Sequence, residues 1–216
     1  MLDNINGAIF DLDGTLIDSM DIWAKIDMDY LNAHNISMPG DLRDAVEHLS
    51  FEETASYFKK RFNLPYSEKE IQDQWFTMAL EEYSKNIKLK PGVRKLLELL
   101  KCRNIKIALA TSNCTPLIYA CLKPKGLLNY FDVITTTSEV SKGKSFPDIY
   151  LHTAKKLGIS PENCIVFEDI LPAIKGAKKA GMKVVAIFDT FSESQKLEIK
   201  SIADKYIKDF NELLTT

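Results

Sequence analysis

Apolar residues fall into two kinds of run along the chain. Short, continuous runs occupy residues 5–10, 105–110, 133–135, 165–167 and 184–188. Unbroken hydrophobicity, rather than alternation, suits strands of a parallel sheet covered on both faces. Between these runs the apolar positions take a helical spacing. Pro91 opens a segment in which Val93, Leu96, Leu97 and Leu100 fall at i, i+3, i+4 and i+7, one face of a helix. Thr115 and Pro116 read as N-cap and first residue of the next. Segments around Ile149, Thr153, Ala154 and Leu157, and around Ile174, Ala177 and Ala180, stop at Gly158 and Gly181, residues suited to the left-handed turn past a helix end. Strands alternating with helices of this length predict an α/β fold with a doubly wound parallel sheet.

Residues 16–88 break that rhythm. They lack a strand pattern, carry ten of the 21 aromatic residues in about a third of the chain, and read as helices over 18–33, 51–62 and 67–84. The expectation is an inserted α-helical cap domain, 16–88, on an α/β core built from 1–15 and 89–216.

Composition adds limits. Hydrophobic residues at 45% and charged residues at 27% are ordinary globular values and exclude a disordered chain. A net charge of −2 offers no general attraction to nucleic acid, so no such partner is expected. Cys102, Cys114, Cys121 and Cys164 form no C-x-x-C pair and read as small buried hydrophobes of a reduced protein. The longest stretch without Asp, Glu, Lys or Arg, residues 107–122, is too short and too polar to span a bilayer. No basic segment precedes an early apolar stretch, so no signal peptide is read. A cytoplasmic monomer without a membrane partner is the expectation.

The chemistry concentrates where the first apolar run ends, in Asp11-Leu12-Asp13-Gly14-Thr15. In open α/β sheets ligands bind at the carboxyl ends of strands. A turn explains Asp13 and Gly14 but not two carboxylates straddling a leucine. Acids this close repel unless a cation or a shared proton compensates, and Mg²⁺, a hard cation that takes oxygen ligands, is the natural compensator. One acid can then attack phosphorus while the other carries a proton. Gly14 lets backbone N–H groups approach a phosphoryl oxygen.

With these residues the chain resembles the haloacid-dehalogenase-like hydrolase superfamily. Three later segments match in order: IALATSN, KGKSFPDIYL and IVFEDILPAIKGAKKAG. The resemblance implies Asp11 as nucleophile, Asp13 as acid and base, and Thr111 and Lys144 as stabilisers of the phosphoryl group. It implies Mg²⁺ held by Asp11, the Asp13 carbonyl and Asp169, with Glu168 helping directly or through water. Backbone N–H groups near Gly14 and Ser112 would meet the phosphate, and Asn113 would face the cap and the rest of the substrate.

The helical insertion is similar to that of the subgroup containing β-phosphoglucomutase and phosphoglycolate phosphatase. That similarity implies a phosphatase acting through an aspartyl-phosphate on a small-molecule phosphate ester. The alternatives are a sugar-phosphate phosphomutase and a non-catalytic phosphate-binding module. Trp23 stands where the mutases carry a histidine, and HLSFEETASYF shows no counterpart of their cap arginine; both departures favour hydrolysis. Met20, Trp23, Met28, Trp75 and Met78 are expected in the core of the cap rather than along a pocket.

Overall fold

In the computed structural model, which describes residues 4–46 and 48–214, the chain opens with β1 (Gly7–Phe10), β2 (Ile17–Asp18) and α1 (Met20–Ala33). Then come α2 (Leu42–Val46), α3 (Phe51–Arg61), α4 (Glu68–Glu81), a π-helical turn (Glu82–Asn86) and β3 (Lys88–Leu89). It continues through α5 (Val93–Cys102), β4 (Lys106–Thr111), α6 (Thr115–Leu122), β5 (Val133–Thr136) and α7 (Asp148–Leu157). The last elements are β6 (Cys164–Glu168), α8 (Leu171–Lys179), β7 (Lys183–Ile187), α9 (Lys196–Ile202) and β8 (Lys205–Ile207). Residues 1–3 and 215–216 of the expected core lie outside the described residues.

The five apolar runs become five strands of a six-stranded sheet ordered β5-β4-β1-β6-β7-β8, with every neighbouring pair parallel. Alternate side chains go to opposite faces. Phe10, Leu109 and Phe167 join one core cluster, whereas Ile9, Ala108 and Val166 join the other. Burial on both sides is the reason the runs are continuous. Strands β4 and β5 lie to one side of β1, and β6, β7 and β8 to the other. The ends of β1 and β6 therefore flank the point where strand order reverses, the crevice such sheets use for ligands.

Phe10 and Phe167 are register partners on those two strands, and their buried rings stack at 4.4 Å and 7°. Each contributes roughly 2–3 kcal/mol through burial, and together they hold the strand ends abreast. The residues that follow are Asp11 and Glu168.

The helices between β2 and β3 leave and re-enter the core through one antiparallel ribbon, Ile17 opposite Leu89 and Asp18 opposite Lys88. They pack around Trp75, whose ring meets Phe58 at 4.8 Å, Tyr30 at 5.6 Å and Phe51 at 5.7 Å, all edge to face. Helices α3 and α4 begin at capping boxes, Ser50 with Glu53 and Ser67 with Glu70. Past α4 the bonding widens, the Ile87 N–H reaching the Glu82 carbonyl at 3.1 Å. This π turn carries the fully buried Tyr83.

One local expectation moves by a residue. Cys114, not Thr115, is the N-cap of α6: its backbone is extended at φ −82° and ψ 147° and Thr115 is already helical, while Asn113 Oδ1 accepts the Cys114 N–H at 2.8 Å. Gly158 and Gly181 take left-handed φ values of 70° and 79°. No described helix is long and apolar enough to cross a membrane, and all four cysteines are free.

Candidate active site

A cavity of about 170 Å³ opens at the carboxyl edge of the sheet, under the inserted helices. Asp11, Asp13, Thr111, Ser112, Asn113, Lys144 and Asp169 line its floor, while Glu168 lies behind Lys144. The two acids of the first motif face different neighbours.

Asp11 belongs to a buried acidic group. Ligand atoms of Asp11, Glu168 and Asp169 all lie within 4.8 Å of one another. Lys144 Nζ contacts Asp11 Oδ1 at 2.7 Å and also pairs with Glu168. Burial pushes the Asp11 carboxyl up to about 8, more than Lys144 pulls it down. Burial, then the neighbouring acids Asp11 and Glu168, raise Asp169 well above the carboxylate range. Burial alone would lower the Lys144 ammonium, but the charges of Asp11 and Glu168 outweigh it and hold its pKa above the ordinary value.

The remaining oxygens show what is missing. Glu168 Oε1 accepts from Tyr150 at 2.9 Å, and Asp169 Oδ1 from Thr15 at 2.9 Å. Their second oxygens, Glu168 Oε2 and Asp169 Oδ2, are buried without a partner. Three carboxylates, one ammonium and two orphaned oxygens fit a hard divalent cation. Gly14, at φ +76°, makes room for this group, because any Cβ there would overlap Asp169 Oδ2. Its N–H donates to the Ile17 carbonyl at 3.0 Å. Gly14 thus contributes an absent side chain beside Asp169.

Asp13 turns toward the helices. Its Oδ1 accepts from Ser19 Oγ at 2.6 Å, from Trp23 Nε1 at 3.4 Å and from the Tyr83 hydroxyl. Its Oδ2 accepts from Asn113 Nδ2 at 2.8 Å. Trp23 Nε1 and Asn113 Nδ2 also donate to the Tyr83 oxygen, at 2.5 and 2.9 Å. Asn113 thus fixes an acid rather than facing only substrate. Thr111 Oγ1 accepts the Asn113 N–H at 3.0 Å, which leaves its own proton to give. Ser112 Oγ is buried without a partner.

Several residues of this site were not anticipated. Tyr83, Tyr150, Asp27, Arg43 and Phe191 had no role assigned from sequence. Tyr150 was visible in the F-P-D-x-Y pattern, and Ser19 in the IDS that follows the first motif. Met20, Trp23 and Trp75 line the cavity, contrary to the expectation of a purely internal role, whereas Met28 is exposed. The HLSFEETASYF segment indeed brings no arginine. The arginine on the cavity is Arg43 of α2, whose guanidinium lies 4.2 Å over the Phe191 ring and donates to the Phe191 carbonyl. Phe191 is held in turn by the buried Lys90–Asp189 pair, 2.7 Å apart, since Asp189 Oδ1 accepts the Phe191 N–H at 2.8 Å.

The model of the haloacid dehalogenase-like hydrolases matches residues 8–187, from β1 through β7. The chain belongs to this hydrolase family. The hydrolase is 32% identical over 181 residues to the bifunctional riboflavin kinase/FMN phosphatase of Arabidopsis thaliana, 83% of this chain but 48% of that one. It therefore spans about half the length of that relative. It is 28% identical to the phosphorylated carbohydrates phosphatase of Thermotoga maritima, over 83% of both chains. The crystal structure of CbbY from Rhodobacter sphaeroides, in complex with phosphate, superposes with a TM-score of 0.86 at 23% identity, covering 97% of this chain and 96% of that one. At that identity the likeness concerns the fold.

Proposed function

We propose that this hydrolase is a magnesium-dependent phosphatase that cleaves a small-molecule phosphate monoester through an aspartyl-phosphate on Asp11. The observation that carries the reading is the division between the two acids. Asp11 sits with Lys144, Glu168 and Asp169 at the strand ends, while Asp13 is turned by Ser19, Trp23, Tyr83 and Asn113 toward the cavity's helical side. The same reading makes residues 16–88 the cap and residues 1–15 with 89–216 the catalytic core of a monomer.

In the first step an Asp11 carboxylate oxygen attacks phosphorus in line and the bond to the ester oxygen breaks. Asp13 gives its proton to the departing alkoxide, so a neutral alcohol leaves. In the second step Asp13 takes a proton from water, the water oxygen attacks phosphorus, and inorganic phosphate departs with Asp11 restored. Lys144 Nζ and the Thr111 hydroxyl stabilise charge on the phosphoryl oxygens. Asp11, Asp169, Glu168 and the Asp13 carbonyl would hold Mg²⁺, which supplies charge neutralisation for the anionic ester. The similarity of the chain to the Arabidopsis and Thermotoga phosphatases supports this reading, as does Trp23, which stands against Asp13 where mutases carry a histidine.

The direct test is release of p-nitrophenol from its phosphate ester. Hydrolysis is expected with Mg²⁺, is abolished by a chelator, and returns when the metal is restored. Absence of metal-dependent activity on this ester and on a panel of sugar phosphates, nucleotides and flavin mononucleotide would overturn the phosphatase reading.

The crowded acids also predict a pH dependence of stability without metal. The Asp11 pKa stands near 8 in the folded protein against 3.8 as its ordinary value. The folded state therefore holds more protons than the unfolded state in that interval, and stability falls as pH rises from about 4 to about 8. The metal-free protein is expected to melt lower near pH 8 than near pH 6, and Mg²⁺ to raise Tm more at the higher pH. Calorimetry at the two pH values checks this; an equal shift at both would remove the acids as its cause.

A further inference from the structure

The end of the cavity away from the phosphate site holds one acid the mechanism does not use. Met20, Trp23, Ala24 and Asp27 all line the cavity and fall at i, i+3, i+4 and i+7 of α1, so one face of this helix forms a wall. Trp23 marks the near end, since its indole reaches Asp13 at 3.4 Å. Asp27 stands one helical turn further, about 6 Å along the axis from Trp23. The neighbouring walls include the aromatic rings of Phe51, Trp75 and Phe191.

Asp27 makes no hydrogen bond or ion pair with any described residue, and burial alone pushes its carboxyl up to about 7. Arg43, the other charged side chain of the inserted helices on the cavity, is engaged by the Phe191 ring and carbonyl. A carboxylate facing an apolar cavity without a partner costs free energy that a donor on a bound molecule offsets. The same carboxylate repels a second anionic group.

Resting on the phosphatase reading, we propose that Asp27 is a specificity-determining residue. It accepts a hydrogen bond from a hydroxyl or ammonium donor at the far end of the leaving alcohol, and it excludes esters that carry a second phosphate there. The leaving group is accordingly several atoms long, long enough to carry its donor past Trp23 to the next turn of α1.

The test compares six-carbon monophosphates that differ in their distal groups: a hexitol phosphate, 6-aminohexyl phosphate, n-hexyl phosphate and a hexitol bisphosphate. Wild-type kcat/KM is expected to favour at least one donor-bearing ester over n-hexyl phosphate by about tenfold or more, the scale of a hydrogen bond to a charged acceptor, and to be lowest for the bisphosphate. Asp27→Leu is expected to collapse that ratio. Asp27→Asn distinguishes the two donors, because a neutral amide keeps part of a hydroxyl preference and loses an ammonium preference. Melting temperatures of both variants at or above wild type would show that they fold and that an uncompensated carboxylate has been removed. An unchanged ratio in Asp27→Leu, with n-hexyl and p-nitrophenyl phosphates still hydrolysed, overturns the role of Asp27 alone. Failure of the wild-type protein on every ester overturns the phosphatase reading and this inference with it.

Discussion

Asp11→Asn is expected to reduce phosphatase turnover on the order of ten-thousandfold or more, the loss that follows removal of a covalent nucleophile. The fold should persist. The substitution keeps the shape of the side chain behind the Phe10–Phe167 stack and removes one of three clustered carboxylates, and one of the two that share Lys144. Less repulsion means a higher melting temperature for the metal-free variant, together with weaker stabilisation by Mg²⁺. Stability and activity thus move in opposite directions, which separates a lost nucleophile from a damaged structure. If the variant keeps a tenth of wild-type activity, Asp11 is not the nucleophile.

Lys144→Ala carries the second large effect. Its ammonium is buried against Asp11 and Glu168, so its loss removes a preorganised charge from the phosphoryl group and leaves the acids uncompensated. A barrier increase of about 3 kcal/mol or more is expected, a hundredfold or more in kcat/KM. Stability should fall as well, on the order of 3 kcal/mol for a broken buried pair. Gly176→Ala offers a cleaner version. A Cβ at Gly176 in α8 would overlap the Lys144 carbonyl oxygen and press on that of Phe146, displacing the lysine without deleting its charge. Steady-state kinetics on p-nitrophenyl phosphate should show both variants impaired chiefly in kcat. Near-normal kcat/KM in Lys144→Ala would remove the lysine from the site.

The sheet was legible because its central strands are buried on both faces, which writes them as unbroken apolar runs. The exception is β8, where Lys205 and Tyr206 are only half-buried at the sheet edge and no such run exists. Helix α2 was invisible because five residues do not establish a period. Within the site, the acids, Thr111 and Lys144 stand in short motifs at strand ends and in loops, where position along the chain announces position in space. Tyr83 carries no such mark. It falls four residues after the buried Ala79, where a helical period reads it as one more residue of the helices' own core, and that period says nothing of its hydroxyl reaching Asp13. Asp27 was equally silent, since an acid on an amphipathic helix looks the same whether it meets water or a cavity. The capping position of α6 moved to Cys114 because the backbone turns helical already at Thr115, a one-residue shift that a threonine before a proline does not reveal.

The β2–β3 ribbon has a consequence for how such a protein changes over generations. Ile17 and Leu89 are register partners, so the roughly seventy residues between the strands begin and end at one spot, and their other polar ties to the core are chiefly side-chain contacts at the site, to Asp13, Asn113 and Phe191. The helices are in this sense a replaceable cassette. A lineage can trade, lengthen or redecorate them, and with them the wall that bears Asp27, while the strand ends that carry Asp11 and Asp169 keep their places. Novelty in what is recognised need not wait for novelty in how a bond is broken.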